Sequence, residues 1–61
     1  MEKVKISRKK FVTLLVRKFG INKLTQDDFG EMDGDKLIRS TLYYKYDKHV
    51  ATWSNGEGVI L

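Results

Sequence analysis

A group of positively charged side chains near the N-terminus is the feature of this sequence with the clearest chemical use. Their spacing places several of them on the solvent side of a predicted helix. Lysine and arginine in such a patch bind phosphates or an acidic protein surface. The alternative is a solvated face that the acidic segment from 27 to 35 of the same chain partly neutralises. The candidate binding residues are Lys3, Lys5, Arg8, Lys9, Lys10 and Arg17.

Aromatic and basic residues are interleaved between positions 42 and 46. On a sheet surface this pattern can stack nucleobases. Because successive residues of a strand point to opposite faces, only some of these rings can be exposed together. We expect Tyr44 and Trp53 on the core side, so Tyr43 and Lys45 are the candidate binding residues of the other face.

The remaining polar residues predict neither a catalytic site nor a metal site. Cysteine is absent, and the single histidine, His49, lies beside Lys48 at a predicted turn. The acidic segment does not fit a calcium loop: with Gly34 at the sixth position, Phe29 and Ser40 take the first and twelfth positions, where carboxylates are needed. No spacing matches a nucleophile elbow or a phosphate-binding loop. We therefore expect a protein that is not an enzyme and uses no cofactor or metal.

An amphipathic helix positions the cations. Val4 and Ile6 alternate with polar residues, which predicts a short N-terminal strand, and Ser7 is suited to cap a following helix. Apolar residues cover one half of the helical wheel from Arg8 to Phe19, and cations share the opposite arc. The helix is predicted at about 8–19.

The second half of the chain predicts an acidic helix followed by strands. Acidic residues after Thr25 suit the first turn of a short helix at about 26–32. From Leu37 onward the apolar period becomes two, which predicts a three-stranded antiparallel meander at about 38–46, 49–54 and 57–61 packed on the first helix. The predicted fold is therefore α+β, with an N-terminal strand, two helices and this meander.

Two turns set the predicted register of the meander. Asn55-Gly56 is typical of a type I′ hairpin turn, which sets Trp53 opposite Gly58. If Asp47-Lys48 closes the preceding hairpin, Leu42 faces Trp53 and Tyr44 faces Ala51. A turn at Lys48 needs a positive φ, so a longer loop with a one-residue shift, which would exchange the two faces, is the alternative.

Size and composition restrict the class of protein. Sixty-one residues form one domain, 1–61, whose core must be small. The charge is segregated: residues 1–24 carry +7, residues 25–36 carry −4 and the remainder +1, which sums to the net +4. The apolar run from Phe11 to Val16 is too short to span a bilayer. Without cysteine or an export signal, we expect a cytoplasmic protein that does not enter membranes.

Three functions remain as hypotheses. The leading one is a small protein-binding module, which in type resembles phage- or bacterium-encoded accessory proteins and inhibitors that act on a larger host protein or nucleoprotein complex. The first alternative is DNA or RNA binding through the basic helix face. The second is a structural subunit, such as a homodimer, that self-associates through exposed aliphatic residues at Val50, Val59 and Leu61.

Overall fold

The fold is a five-stranded antiparallel sheet with one helix packed against one face. The computed structural model describes all residues from 1 to 61. The strand order in the sheet is β1-β5-β4-β3-β2, so β1 and β2 form its two edges and α1 connects them across the sheet. The elements are β1 (Glu2–Lys5), α1 (Arg8–Phe19), β2 (Leu24–Asp33), β3 (Lys36–Lys45), β4 (Lys48–Ser54) and β5 (Glu57–Ile60).

The predicted architecture of two helices and a three-stranded meander is wrong. The segment predicted as a helix at 26–32 is part of β2, which pairs with β3 over ten consecutive residues from Leu24 to Asp33. Its acids could occupy the first turn of a helix, but the segment lacks a continuous apolar stripe to bury. Gly34, at a φ of 63°, turns the chain into β3 instead, and the long pairing provides the partners for its backbone groups.

The prediction for α1 is confirmed. The Ser7 side chain accepts a hydrogen bond from the Lys10 backbone N–H at 3.3 Å, which caps the N-terminus. At the other end, Gly20 has a φ of 80° and donates its N–H to the Val16 carbonyl at 2.8 Å. Local residues thus determine both ends of the helix.

The core lies between α1 and the middle of the sheet. The Phe11 ring packs directly over Gly58 of β5 and meets Tyr43 of β3 edge to face, with ring centroids 5.7 Å apart. Leu15, one turn further along α1, is also fully buried. The buried apolar residues are Phe11, Leu15, Tyr43, Val50, Ala51 and Ile60.

The β4–β5 hairpin has the predicted register. Asn55 and Gly56 both have positive φ, at 49° and 80°, as a type I′ turn requires. Trp53 lies opposite Gly58. Its indole N–H donates to the Ile6 carbonyl at 2.9 Å, which ties the start of α1 to the sheet.

The predicted register of the β3–β4 hairpin is wrong. The turn is Tyr46-Asp47, with φ values of 51° and 66°, rather than Asp47-Lys48. A β-bulge then adds Val50 to β4, so that Tyr43 rather than Tyr44 lies opposite Ala51. The bulge exchanges the two tyrosines between faces: Tyr43 is buried under α1, and Tyr44 lies on the opposite side.

The sheet therefore has a helix side and an outer face. Register and strand alternation place Lys3, Leu42, Thr52 and Val59 in one row across the outer face. The residues of β3 that precede Ser40 pair only with β2, so the tip of the β2–β3 hairpin projects as a two-stranded ribbon. This ribbon contributes to the elongated shape of the molecule, 37 × 22 × 20 Å.

Candidate binding surfaces

Three of the six predicted cations form one surface on α1. Lys9, Lys10 and Arg17 are exposed on the side of the helix that faces away from the sheet, and we call them the cationic helix face. A shallow hollow of about 270 Å³ lies between Lys10, Arg17, Thr13 and Leu14. The structure contains two ion pairs, Arg8–Asp28 and Lys18–Glu2. No carboxylate lies within 4.0 Å of Lys9, Lys10 or Arg17.

The acidic segment neutralises only one predicted binding cation. The Arg8 guanidinium lies 3.7 Å from the Asp28 carboxylate, and both side chains are about half exposed. Asp28 also accepts a hydrogen bond of 2.8 Å from the buried Thr41 hydroxyl. The acidic segment thus pairs with Arg8 and places no carboxylate within 4.0 Å of the cationic helix face.

The last turn of α1 contains a second ion pair. Lys18 donates a hydrogen bond of 2.7 Å to Glu2, and this contact holds the pKa of the Glu2 carboxyl below its usual value. The pair joins α1 to β1 and lies outside the cationic helix face.

Lys3 and Lys5 belong to a different surface. Lys3 lies opposite Val59 and Lys5 opposite Glu57, and both point from the outer face of the sheet. The six predicted cations therefore lie on two opposite sides of the domain and do not form one surface. Of these six cations, only those of α1 can contact a partner that approaches from the helix side.

Tyr43 and Lys45 do not form the exposed surface that their spacing suggested. Tyr43 is 1% exposed. The Lys45 ammonium donates to the Asn22 carbonyl and lies 5.1 Å from the Tyr46 ring centroid. The aromatic residues of the outer face are Tyr44, whose ring is 5.4 Å from that of His49, and Phe29 of β2, which pairs with Ser40. Phe29 and Tyr44 are four positions apart along the β2–β3 pairing, about 13 Å, so the two rings do not form one platform on which nucleobases could stack.

The three residues predicted for self-association differ in their exposure, although the Leu61 N–H donates to the Val50 carbonyl at 3.0 Å. Val50 belongs to the core, where the bulge directs it, and Val59 is partly buried on the outer face. Leu61, at the end of the chain, is 58% exposed. Of the three, only Leu61 is largely exposed, so they offer little apolar surface for self-association.

The histidine is held by neighbouring groups. The Nε2 atom of His49 lies 3.0 Å from the Ala51 carbonyl and 2.9 Å from the Thr52 hydroxyl. No three His, Cys, Asp or Glu side chains converge in a geometry that could hold a metal ion.

The hydroxyl group of Tyr43 makes no hydrogen bond although it is buried. A buried hydroxyl without a partner loses its hydration and gains nothing in exchange. Burial also raises the pKa of this side chain, since it disfavours the phenolate. The sequence offered no signal for this group, because the bulge that buries Tyr43 depends on the pairing of distant residues.

We expect Tyr43→Phe to leave the free energy of unfolding at pH 7 unchanged or to raise it by up to about 1 kcal/mol, since it removes an unpaired polar atom. Urea unfolding measures this. The raised pKa means that the folded state holds the phenolic proton more tightly, so the contribution of Tyr43 to stability is constant below about pH 10 and falls as pH rises above it. The variant should lose less stability than the wild type above pH 10, and an equal loss would contradict the assignment.

The edge strand β2 is a surface whose conformation and position the sequence did not reveal, because the segment was predicted to be a helix. Its outer-face side chains are Thr25, Asp27, Phe29, Glu31 and Asp33, and the strand contains no base. The phenyl ring is 44% exposed. The molecule therefore presents unpaired cations on α1 and acids along one edge of the sheet.

No protein-family model, curated protein or solved structure matches this chain. None of its helices has the length and apolar character needed to cross a bilayer. The surfaces themselves are therefore the basis for a function.

Proposed function

We propose that this chain is a small non-catalytic binding module whose cationic helix face docks on an acidic surface of a partner protein. The observation that carries the proposal is that Lys9, Lys10 and Arg17 are exposed together without an intramolecular carboxylate partner. Uncompensated charge on a helix anchored by a buried core accelerates association with an oppositely charged partner and orients it.

The position of the lysines in α1 supports a binding role over a structural one. Arg8, Lys9 and Lys10 occupy the first turn, which contains no acid. The N-terminal end of a helix carries partial positive charge, so each exposed cation there is unfavourable by about 0.3 to 1 kcal/mol. Stability would favour acids at these positions, and contact with an anionic partner is a physical reason for lysines.

A protein fits as partner better than a nucleic acid does. Tyr43, the residue expected to stack on a base, is buried, and Lys3 and Lys5 lie on the opposite side of the domain. Two of the remaining three cations, Lys10 and Arg17, line a shallow hollow together with the partly buried Leu14. A mixture of charged and apolar surface is typical of a protein interface.

So small a module would act by occupying a site on a larger protein or nucleoprotein complex, as an inhibitor or accessory protein does. The absence of cysteine suits a reducing compartment such as the cytoplasm, where we place the interaction. DNA or RNA binding through the same cations is the second candidate, and the uncompensated charge supports it too.

The test is an affinity pull-down from a lysate of the source organism with the wild type and with Lys9→Glu/Lys10→Glu/Arg17→Glu. We expect the wild type to retain a protein after nuclease treatment. The triple variant should reduce that retention at least about tenfold, because three attractive contacts become repulsive. The matched control is Lys3→Glu/Lys5→Glu/Lys48→Glu, which changes the net charge equally on other surfaces and should retain the partner.

Two results would contradict the proposal. Loss of the partner after nuclease treatment would identify a nucleic acid as the ligand. Equal loss in the triple variant and in the control would show that net charge, rather than the cationic helix face, determines retention.

A further inference from the structure

The unpaired edge of β2 is the longest free run of regular backbone in the molecule. Its ten residues pair with β3 on one side without a break in register, and no strand lies on the other side. Such an edge presents backbone N–H and C=O groups that another extended chain can pair with. The opposite edge, β1, is only four residues long and has Lys3 and Lys5, which discourage strand addition.

The charge of β2 restricts which chain can pair with it. Asp27, Glu31 and Asp33 project from the outer face at every second or fourth position, and none of them is in an ion pair. If β2 paired with the β2 of a second copy, acids would lie close to acids, which is unfavourable. An added strand with bases on the same face would place opposite charges side by side.

The helix side of the same strand has a different character. Gly30 and Met32 lie there, and Met32 is paired with Leu37 of β3. The two apolar side chains are 64% and 55% exposed. A hollow of about 490 Å³ beside them is lined by Arg8, Asp28, Phe29, Gly30, Leu37, Arg39 and Ser40. An added strand with aliphatic residues on this face would cover the exposed methionine and leucine.

We propose that β2 accepts an extended segment of a partner protein in which basic and aliphatic residues alternate. The bases lie beside Asp27, Glu31 and Asp33 on the outer face, and the aliphatic residues lie on the helix side near Met32. Main-chain hydrogen bonds hold the segment, and the side-chain alternation fixes its register in steps of two residues. This surface is separate from the cationic helix face, so an experiment can contradict the proposal for one surface without contradicting the proposal for the other.

A second copy of the chain fits the edge less well. Its basic strand β1 is short enough to leave more than half of β2 uncovered. Pairing of β1 with β2 would also be head to tail, and repetition of that contact gives open chains rather than a closed dimer. The partner segment therefore comes from a different protein.

The experiment uses the isotope-labelled full chain and a synthetic peptide of about nine residues in which lysine and valine alternate. We expect amide chemical shifts to change along β2 during the titration. A peptide of the same composition with its lysines grouped at one end should bind about tenfold more weakly, because two cross-strand charge pairs are lost. The double variant Asp27→Lys/Glu31→Lys of the protein should bind the alternating peptide more weakly by a similar factor.

N-methylation of the peptide tests backbone pairing without altering the protein. In an added strand, every second amide points toward β2. Methylation of those amides should abolish binding. Methylation of the intervening amides should leave the affinity within about twofold of that of the unmethylated peptide.

Three results would overturn the proposal. One is equal binding of the alternating and grouped peptides. Another is an equal effect of the two methylation patterns. The third is self-association of the free protein through β2, which would identify a second copy as the occupant.

Discussion

Phe11→Ala is expected to remove about a third or more of the free energy of unfolding at 25 °C. Removing a fully buried phenylalanine costs about 3 to 5 kcal/mol, and Phe11 is 0% exposed. A domain of 61 residues has a total stability of about 3 to 9 kcal/mol. The loss is large because the ring is shared by α1, β3 and β5, where it contacts Tyr43 and Gly58.

Urea unfolding followed by circular dichroism measures this effect. Phe29→Ala is the matched control, since it removes the same side chain from an exposed position on β2. It should cost less than about 1 kcal/mol. Equal destabilisation by the two changes would show that the core is not where the structure places it.

Gly58→Ala is expected to destabilise the fold by about 1 to 3 kcal/mol. A Cβ atom at this position would lie 2.4 Å from Cε1 of the Phe11 ring, far inside van der Waals contact. The ring cannot move aside easily, because it is buried among core residues. Glycine is required here for the close approach of α1 to β5.

A double variant and a second glycine test this explanation. Phe11→Leu should recover part of the loss caused by Gly58→Ala, which a double-mutant cycle of unfolding free energies would measure. Gly30→Ala is the control, because its Cβ would meet only the end of the exposed Leu37 side chain, at 3.1 Å. That change should be within about 0.5 kcal/mol of neutral. Strict additivity of the Phe11 and Gly58 changes would contradict the close contact.

The elements that sequence reasoning predicted correctly are those with local determinants. Ser7 and Gly20 lie at the two ends of α1, and a continuous apolar stripe lies between them. Asn55-Gly56 likewise determines its hairpin through the positive φ of two adjacent residues. In both cases a few neighbouring residues contain the information.

The errors concern elements whose conformation depends on distant residues. The acids of β2 suit a helix N-terminus, but pairing with β3 determines that the segment is a strand. The bulge at Val50 depends on the meeting of β3 with β4 under α1, and it exchanges the environments of Tyr43 and Tyr44. The binding residues predicted on α1 keep their place on the surface, whereas Tyr43, which strand alternation placed on the exposed face, is in the core.

The cationic helix face is the part of the predicted site that remains together in the structure. Its residues follow the helical period, which the sequence contains directly, so no long-range pairing can alter their placement. The acidic edge was hidden because it requires knowledge of which strand lies outermost in the sheet. Charge segregation along the chain indicated both surfaces without showing their positions.

The most direct test of the binding role measures stability and partner retention together in Lys9→Glu/Lys10→Glu. A glutamate at position 10 lies three residues after Ser7 and can complete a capping box, and both changes place favourable charge at the helix N-terminus. We predict a free energy of unfolding higher by about 0.5 to 2 kcal/mol, with retention of the partner protein reduced at least about tenfold. A variant that is less stable, or that retains the partner as the wild type does, would contradict the account.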